Sequence, residues 1–129
     1  MLKISTKGEY GLRAVVNLAR SYPKIKNVKA ISTEENISAK YLERLIGELR
    51  KRNLVKSVKG KNGGYVLTRK PKDISAGEVI EVMEGQMTSK CDGTHCTHMK
   101  DCSSSIVWIK LGEQIRKTLY GIKLSELIK

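Results

Sequence analysis

Ala39-Lys40-Tyr41-Leu42-Glu43-Arg44-Leu45-Ile46-Gly47-Glu48-Leu49-Arg50-Lys51-Arg52 is the stretch on which the fold turns. Leu42, Leu45, Ile46 and Leu49 recur at the spacing of one helix face, which leaves Lys40, Glu43, Arg44, Glu48, Lys51 and Arg52 pointing outward. Immediately before it, Asn36-Ile37-Ser38 breaks the chain, since asparagine turns backbone readily and Ser38 can cap a new helix. Val28 to Glu35, on the far side of that break, reads as a short helix. Downstream, Leu54-Val55-Lys56-Ser57-Val58 and Tyr65-Val66-Leu67-Thr68 read as two strands joined by Lys59-Gly60-Lys61-Asn62-Gly63-Gly64, a glycine-rich tip containing Asn-Gly. Short helix, tight turn, amphipathic helix and basic hairpin, in that order, make a winged helix-turn-helix. The second helix of such a unit enters the DNA major groove, and the wing follows the backbone.

Side chains on the first turns of that helix reach base edges, so Ser38, Lys40, Tyr41, Glu43 and Arg44 are the reading candidates. Lysine and arginine suit guanine acceptors, and glutamate suits the cytosine amino group. Lys59 and Lys61 on the wing would meet phosphate or the minor groove. The charge distribution agrees. Met1 to Lys70 hold 17 Lys/Arg against 5 Asp/Glu, whereas Pro71 to Lys129 hold 8 against 8, so the formal net charge of +12 falls entirely in the first part. A basic surface gains affinity for a polyanion by releasing its condensed counterions.

Working outward, Leu12, Val15, Val16 and Ala19 mark one face of a helix from Thr6 to Arg20, with Ser5 or Thr6 as its cap. Ser75-Ala76-Gly77-Glu78 has the form of a capping box, and Ala76, Val79, Ile80 and Met83 give the buried face of a helix that Gly85 can end. Met87 to Asp101 reads as a loop. After Cys102 a serine run caps a last long helix, with Trp108, Leu111, Ile115 and Leu119 on one stripe and a stop near Gly121. The fold class is therefore mainly α with a small β-hairpin wing.

The 129 residues suit one compact unit; 40% hydrophobic residues with two prolines argue against disorder, and 29% charged residues argue against a bilayer. No apolar run approaches the roughly 20 residues of a membrane span, and Met1-Leu2-Lys3-Ile4-Ser5-Thr6-Lys7 lacks the apolar stretch of a signal peptide. The expectation is a cytoplasmic protein without a membrane partner. Enzymatic chemistry has no support: there are no paired carboxylates and no nucleophile elbow, and Gly60-Lys61-Asn62-Gly63-Gly64 lacks the pattern of a phosphate loop.

Cys91, Cys96 and Cys102 place three soft donors in a stretch of twelve residues. Thiolates favour zinc, copper(I) or an iron-sulfur cluster, and spacing alone does not choose among them. With His95 or His98 the three would complete a tetrahedral zinc site.

Several segments carry a family resemblance: Ile4-Ser5-Thr6-Lys7-Gly8-Glu9-Tyr10-Gly11, Ile37 to Leu45, Leu49 to Gly60 followed by Gly63-Gly64-Tyr65, and Ile74 to Ile80. They closely resemble the bacterial winged-helix transcription regulators that include IscR, NsrR and CymR, over nearly the whole chain. The resemblance implies a homodimeric regulator, acting as a repressor, on a palindrome-like site in double-stranded DNA, with the long C-terminal helix as dimer interface. Residues 1–70 would then be the DNA-binding domain, and 71–129 the cluster-binding loop and dimerisation helices. It also implies an iron-sulfur cluster on Cys91, Cys96 and Cys102 that reports iron supply, redox state or nitric oxide, with 2Fe-2S favoured, 4Fe-4S open and zinc ranked behind. CymR-like members lack the cysteines and keep the fold, which leaves two alternatives, a clusterless thiol switch of sulfur metabolism and a zinc-bound structural nucleic-acid-binding module without sensing. The position of Glu43 helps such proteins discriminate operators. The position of Lys59 is usually arginine entering the minor groove, so this chain departs there. The fourth cluster ligand of IscR-like members, a histidine three residues after the third cysteine, is here Ser105, whereas Glu9 resembles by position the aspartate that NsrR-type members contribute from the opposite subunit.

Overall fold

Residues 4–85 and 103–128 are described by a computed structural model. The chain runs through α1 (Thr6–Ser21), α2 (Val28–Glu35), α3 (Ala39–Lys51), β1 (Val55–Val58) and β2 (Gly64–Leu67). A single 3-10 turn (Pro71–Asp73) then leads to α4 (Ala76–Glu84), and α5 (Ser105–Tyr120) and α6 (Leu124–Leu127) close the fold.

Caps set the first three helix starts. Ser5 accepts from the Gly8 amide at 3.2 Å, Asn27 from Ala30 at 2.8 Å and Ser38 from Tyr41 at 3.2 Å. Each satisfies an amide that has no partner inside its own helix. Asn36 ends α2 in the left-handed conformation (φ 56°), as a turn-forming asparagine should. On α1 the buried residues are Ala14, Val15, Asn17, Leu18 and Ala19 together with Gly8 and Gly11. The expected stripe was offset: Leu12 and Val16 are only half-buried, because α4 packs on the side of Gly8 and Gly11 and turns the buried face toward itself. On α3, Leu42, Leu45, Ile46 and Leu49 are each 0% exposed. Glu48 departs from the expected outward row, for its carboxylate turns toward α1 and pairs with Lys7 at 2.8 Å. Arg52 is the C-cap of the helix and not its last residue.

The wing is antiparallel, with Val55 opposite Leu67 and Val58 opposite Gly64. Its connection is longer than a two-residue Asn-Gly turn: the Gly63 amide donates to the Gly60 carbonyl at 3.0 Å, and Gly60 carries the positive φ of 123°. At the base of the wing, Lys26 and Tyr65 exchange backbone hydrogen bonds of 2.9 and 2.8 Å. This brings the Lys26 carbonyl to 2.5 Å from where a Cβ on residue 64 would lie, so the strand can begin only with glycine.

Ser75 and Glu78 form the expected capping box on α4 (Glu78 amide to Ser75 Oγ 3.1 Å, Ser75 amide to Glu78 Oε2 2.8 Å). Burial pushes the Glu78 carboxyl up, but the Ser75 amide and the Arg69 guanidinium at 2.6 Å outweigh it and hold it below the usual glutamate value. The short α6 was not foreseen. It is fixed by backbone bonds from Ala76 to the Ile122 carbonyl (2.8 Å) and from Leu124 to the Ile74 carbonyl (2.9 Å), which bury Leu124 completely. One apolar cluster therefore includes Leu18 of α1, Leu45 of α3, Leu67 of β2, Met83 of α4 and Leu124 of α6.

α5 spans the expected stripe and begins at the expected serine run. Ser104 stands at its N-cap position without a side-chain capping bond. Ile106, Val107, Trp108 and Leu111 are 47–58% exposed, while Ile115 and Leu119 are half-buried. Tyr120 packs its ring against Gly77 and donates to Glu81, tying α5 to α4. Among the described residues no helix is long and apolar enough to cross a membrane.

Candidate nucleic-acid interface

Because one face of α3 is buried without remainder, its opposite face must carry whatever the helix offers to solvent. Lys40, Glu43 and Arg44 are all exposed there, and none pairs with an opposite charge among the described residues. Ser38 is exposed, with its hydroxyl committed to the cap. Tyr41 is half-buried: its ring meets Tyr10 edge-on at 6.1 Å and 74°, and Tyr10 in turn lies under the Arg13 guanidinium at 5.4 Å. Its ring therefore helps seat α3 on α1. Lys59 and Lys61 project from the wing, both exposed.

A partly buried polar network ties α1, α2 and the wing together. The Arg13 guanidinium donates to the Glu35 carbonyl and lies 3.4 Å from Glu35 Oε1. Asn17, 3% exposed, donates to Glu35 Oε2 at 2.7 Å and accepts from Lys26 Nζ at 2.6 Å, and Lys26 pairs with Glu34 at 2.6 Å. Since Lys26 also carries the backbone bridge to Tyr65, α1, α2 and the wing share one set of hydrogen bonds. Buried polar groups that are fully partnered rigidify what they join. The sequence reading missed this network. Its one visible signal is Asn17, a polar residue between Val16 and Leu18 in an apolar stretch of helix.

The same contacts sort the basic residues. Lys7, Arg13, Lys26 and Arg69 spend their charge on Glu48, Glu35, Glu34 and Glu78. Lys40, Arg44, Lys59 and Lys61 keep theirs for solvent or a polyanion. Of the metal-site candidates, Cys91, Cys96 and Cys102, with His95 and His98, lie outside the described residues. Glu9 is exposed in the first turn of α1, and Ser105 is buried at the first turn of α5. No group of three or more His, Cys, Asp or Glu that could hold a metal ion occurs among the described residues.

The model of the Rrf2 family, iron-dependent transcriptional regulators, matches residues 4–129. This chain belongs to the Rrf2 family. It is 35% identical over 127 residues to the HTH-type transcriptional regulator CymR of Bacillus subtilis (strain 168), covering 98% of this chain and 89% of that protein. It is 34% identical over 130 residues to the HTH-type transcriptional regulator IscR of Erwinia tasmaniensis, covering 98% and 79%. Among solved structures, CymR, the global cysteine regulator of B. subtilis, superposes with a TM-score of 0.85 at 36% identity, covering 99% of this chain and 97% of that one. IscR of T. potens superposes with a TM-score of 0.82 at 39% identity, covering 98% and 86%. The Rrf2 chain is thus a DNA-binding transcriptional regulator with the winged-helix fold of these relatives, which are regulators and not enzymes.

Proposed function

We propose that this Rrf2-family protein is a homodimeric repressor of the cytoplasm whose hold on a palindrome-like DNA operator depends on an iron-sulfur cluster, 2Fe-2S in the favoured case. The observation that carries the reading is the placement of three cysteines within twelve residues, in a family described as iron-dependent, directly ahead of a helix with an exposed apolar face. Ile106, Val107, Trp108 and Leu111 on that face offer the surface by which two chains would pair, and pairing doubles the base pairs read. Residues 1–70 then read DNA and 71–129 sense and dimerise. Lys40, Glu43 and Arg44 address base edges, Ser38 and Tyr41 set the helix, and Lys59 and Lys61 hold phosphate.

The donor chemistry fits the group. Cys91, Cys96 and Cys102 would supply soft thiolates, and Glu9 would supply a carboxylate from an exposed helix start. A bound cluster would respond to oxidants, iron starvation or nitric oxide by changing its oxidation state or leaving. The chain's own part is to supply the thiolates and pass the change through α4 to the reading helices.

Anaerobic purification with absorption spectroscopy and iron and sulfide analysis tests this. A coloured protein holding iron and acid-labile sulfide, lost on alanine substitution of any one of the three cysteines while a folded dimer remains, is the expected result. A colourless zinc protein would overturn it. A metal-free protein would favour the second reading, a clusterless thiol switch. That reading is supported by the likeness to CymR, of which the Staphylococcus aureus protein has been solved in an oxidized form at a TM-score of 0.78.

A further inference from the structure

Where α3 ends, a cleft of about 340 Å³ opens between Arg52, Leu54, Arg69, Glu78, Glu81 and Val82. It lies at the opposite end of α3 from the base-reading turns and has no part in the DNA chemistry described above. Leu54 and Val82 are the apolar residues of its lining, and Arg52, Arg69, Glu78 and Glu81 bring four charges. Two of them cancel: Arg69 donates to the Asp73 carbonyl at 3.0 Å and to Glu78 Oε1 at 2.6 Å, and Glu78 Oε2 is held by the Ser75 amide. Arg52, in contrast, is exposed and joins none of the ion pairs among the described residues. Glu81 is held in place by the Tyr120 hydroxyl, and a carboxylate with one such bond retains further acceptor capacity. The cleft therefore offers one guanidinium and one carboxylate beside two apolar side chains.

That composition selects among ligands. Two guanidiniums disfavour a metal ion, and two carboxylates disfavour a phosphate or a dicarboxylate. The volume lies at the small end of the range for ligand sites, roughly 300–1,000 Å³. We propose that this cleft binds a small zwitterion of the α-amino-acid class, its carboxylate on Arg52, its ammonium on Glu81 and its side chain over Leu54 and Val82. Such a ligand would bridge the end of the reading helix to α4, and through Tyr120 to α5. Its binding requires neither a cluster nor an operator, so the proposal stands or falls apart from the functional reading above.

The test is titration calorimetry on the full chain with each L-α-amino acid, alongside the N-acetyl form, which lacks the ammonium, and the amide form, which lacks the carboxylate. The expected result is saturable binding of at least one amino acid, weakened at least tenfold by either blocking group and by Arg52→Gln or Glu81→Gln, with Lys72→Gln as an unaffected control. Circular dichroism and thermal midpoints identify any variant that has failed to fold, and the two blocked ligands test the same contacts on the unaltered protein. No binding by any amino acid, equal binding of the N-acetyl or amide forms, or binding that survives both substitutions would overturn the proposal.

Discussion

Glu84, the last residue of α4, accepts hydrogen bonds from both the amide (3.1 Å) and the hydroxyl of Ser5, the residue that caps α1. The same hydroxyl accepts from Gly8, so one serine closes the start of one helix and holds the end of another. Next to it, Lys7 reaches Glu48, which connects the first turn of α1 to α3. That ion pair is partly exposed and contributes roughly 0.2–1 kcal/mol, so the cap is the stronger element. Ser5→Ala should destabilise the protein by about 0.5–2 kcal/mol, whereas Glu84→Gln, which keeps an acceptor, should cost less. Urea denaturation midpoints measure both, and a larger loss for Glu84→Gln would show that its charge matters more than the cap.

Tyr120 gives the α4–α5 joint a pH dependence of known sign. Burial first, then the hydrogen bond and charge of Glu81, push its hydroxyl from 10.0 up to about 12. The unfolded chain then loses this proton at lower pH than the folded chain, so the contribution is complete below pH 10 and disappears as pH rises through about 12. Tyr120→Phe should be less stable than the natural chain below pH 10, with the gap narrowing above it. A constant gap in unfolding free energy across that range would show that ionisation of the hydroxyl contributes nothing to the joint, since phenylalanine keeps the ring on Gly77.

The helix-turn-helix was legible because its signals are local. Ser38 with the Leu42, Leu45, Ile46 and Leu49 spacing defined α3, and Ser75 with Glu78 defined the start of α4, because caps and apolar periodicity act within one or two turns. What was not legible depends on distant partners. Nothing near Leu12 says that α4 packs on the Gly8 side of α1, nothing near Glu48 says that Lys7 will claim it, and α6 exists because Ile74 and Ala76 supply its backbone partners. The exposure of Lys40, Glu43 and Arg44 was legible for the same reason as the fold, since a helix that buries one face exposes the other. The network through Asn17 and Glu35 was hidden because it joins side chains from two helices and a loop.

The free charges on α3 and the wing should separate by role. Arg44→Ala should lower affinity for an operator by about 1–3 kcal/mol per half-site and relax base preference at one position. Lys61→Ala should weaken specific and random DNA alike and reduce the dependence of affinity on salt, because each phosphate contact released returns roughly one counterion. Fluorescence anisotropy across a salt series on both kinds of DNA distinguishes them, and equal losses for Arg44→Ala on specific and random duplexes would remove it from base reading.

Glu9 offers the sharpest test of the proposed cluster site. It is exposed in the first turn of α1, the turn that also carries Ser5's bond to Glu84 and Lys7's to Glu48. An acidic side chain near a helix N-terminus also has an ordinary use, since it complements the helix dipole by about 0.3–1 kcal/mol. The two roles predict different outcomes. If Glu9 only complements the dipole, Glu9→Gln should cost a few tenths of a kcal/mol and leave the spectrum and the operator affinity of anaerobically purified protein unchanged. As the fourth donor, it should when replaced leave iron weakly held, alter the absorption spectrum and uncouple operator affinity from oxidation. A carboxylate on this turn would link ligand loss to the helix that positions α3 through Lys7 and Glu48, which a donor from within the cysteine stretch would not do. His95→Ala and His98→Ala are therefore the matched controls, expected to leave spectrum and regulation intact. Loss of the spectrum in either histidine variant, with Glu9→Gln unaffected, would transfer the fourth position to the cysteine stretch itself.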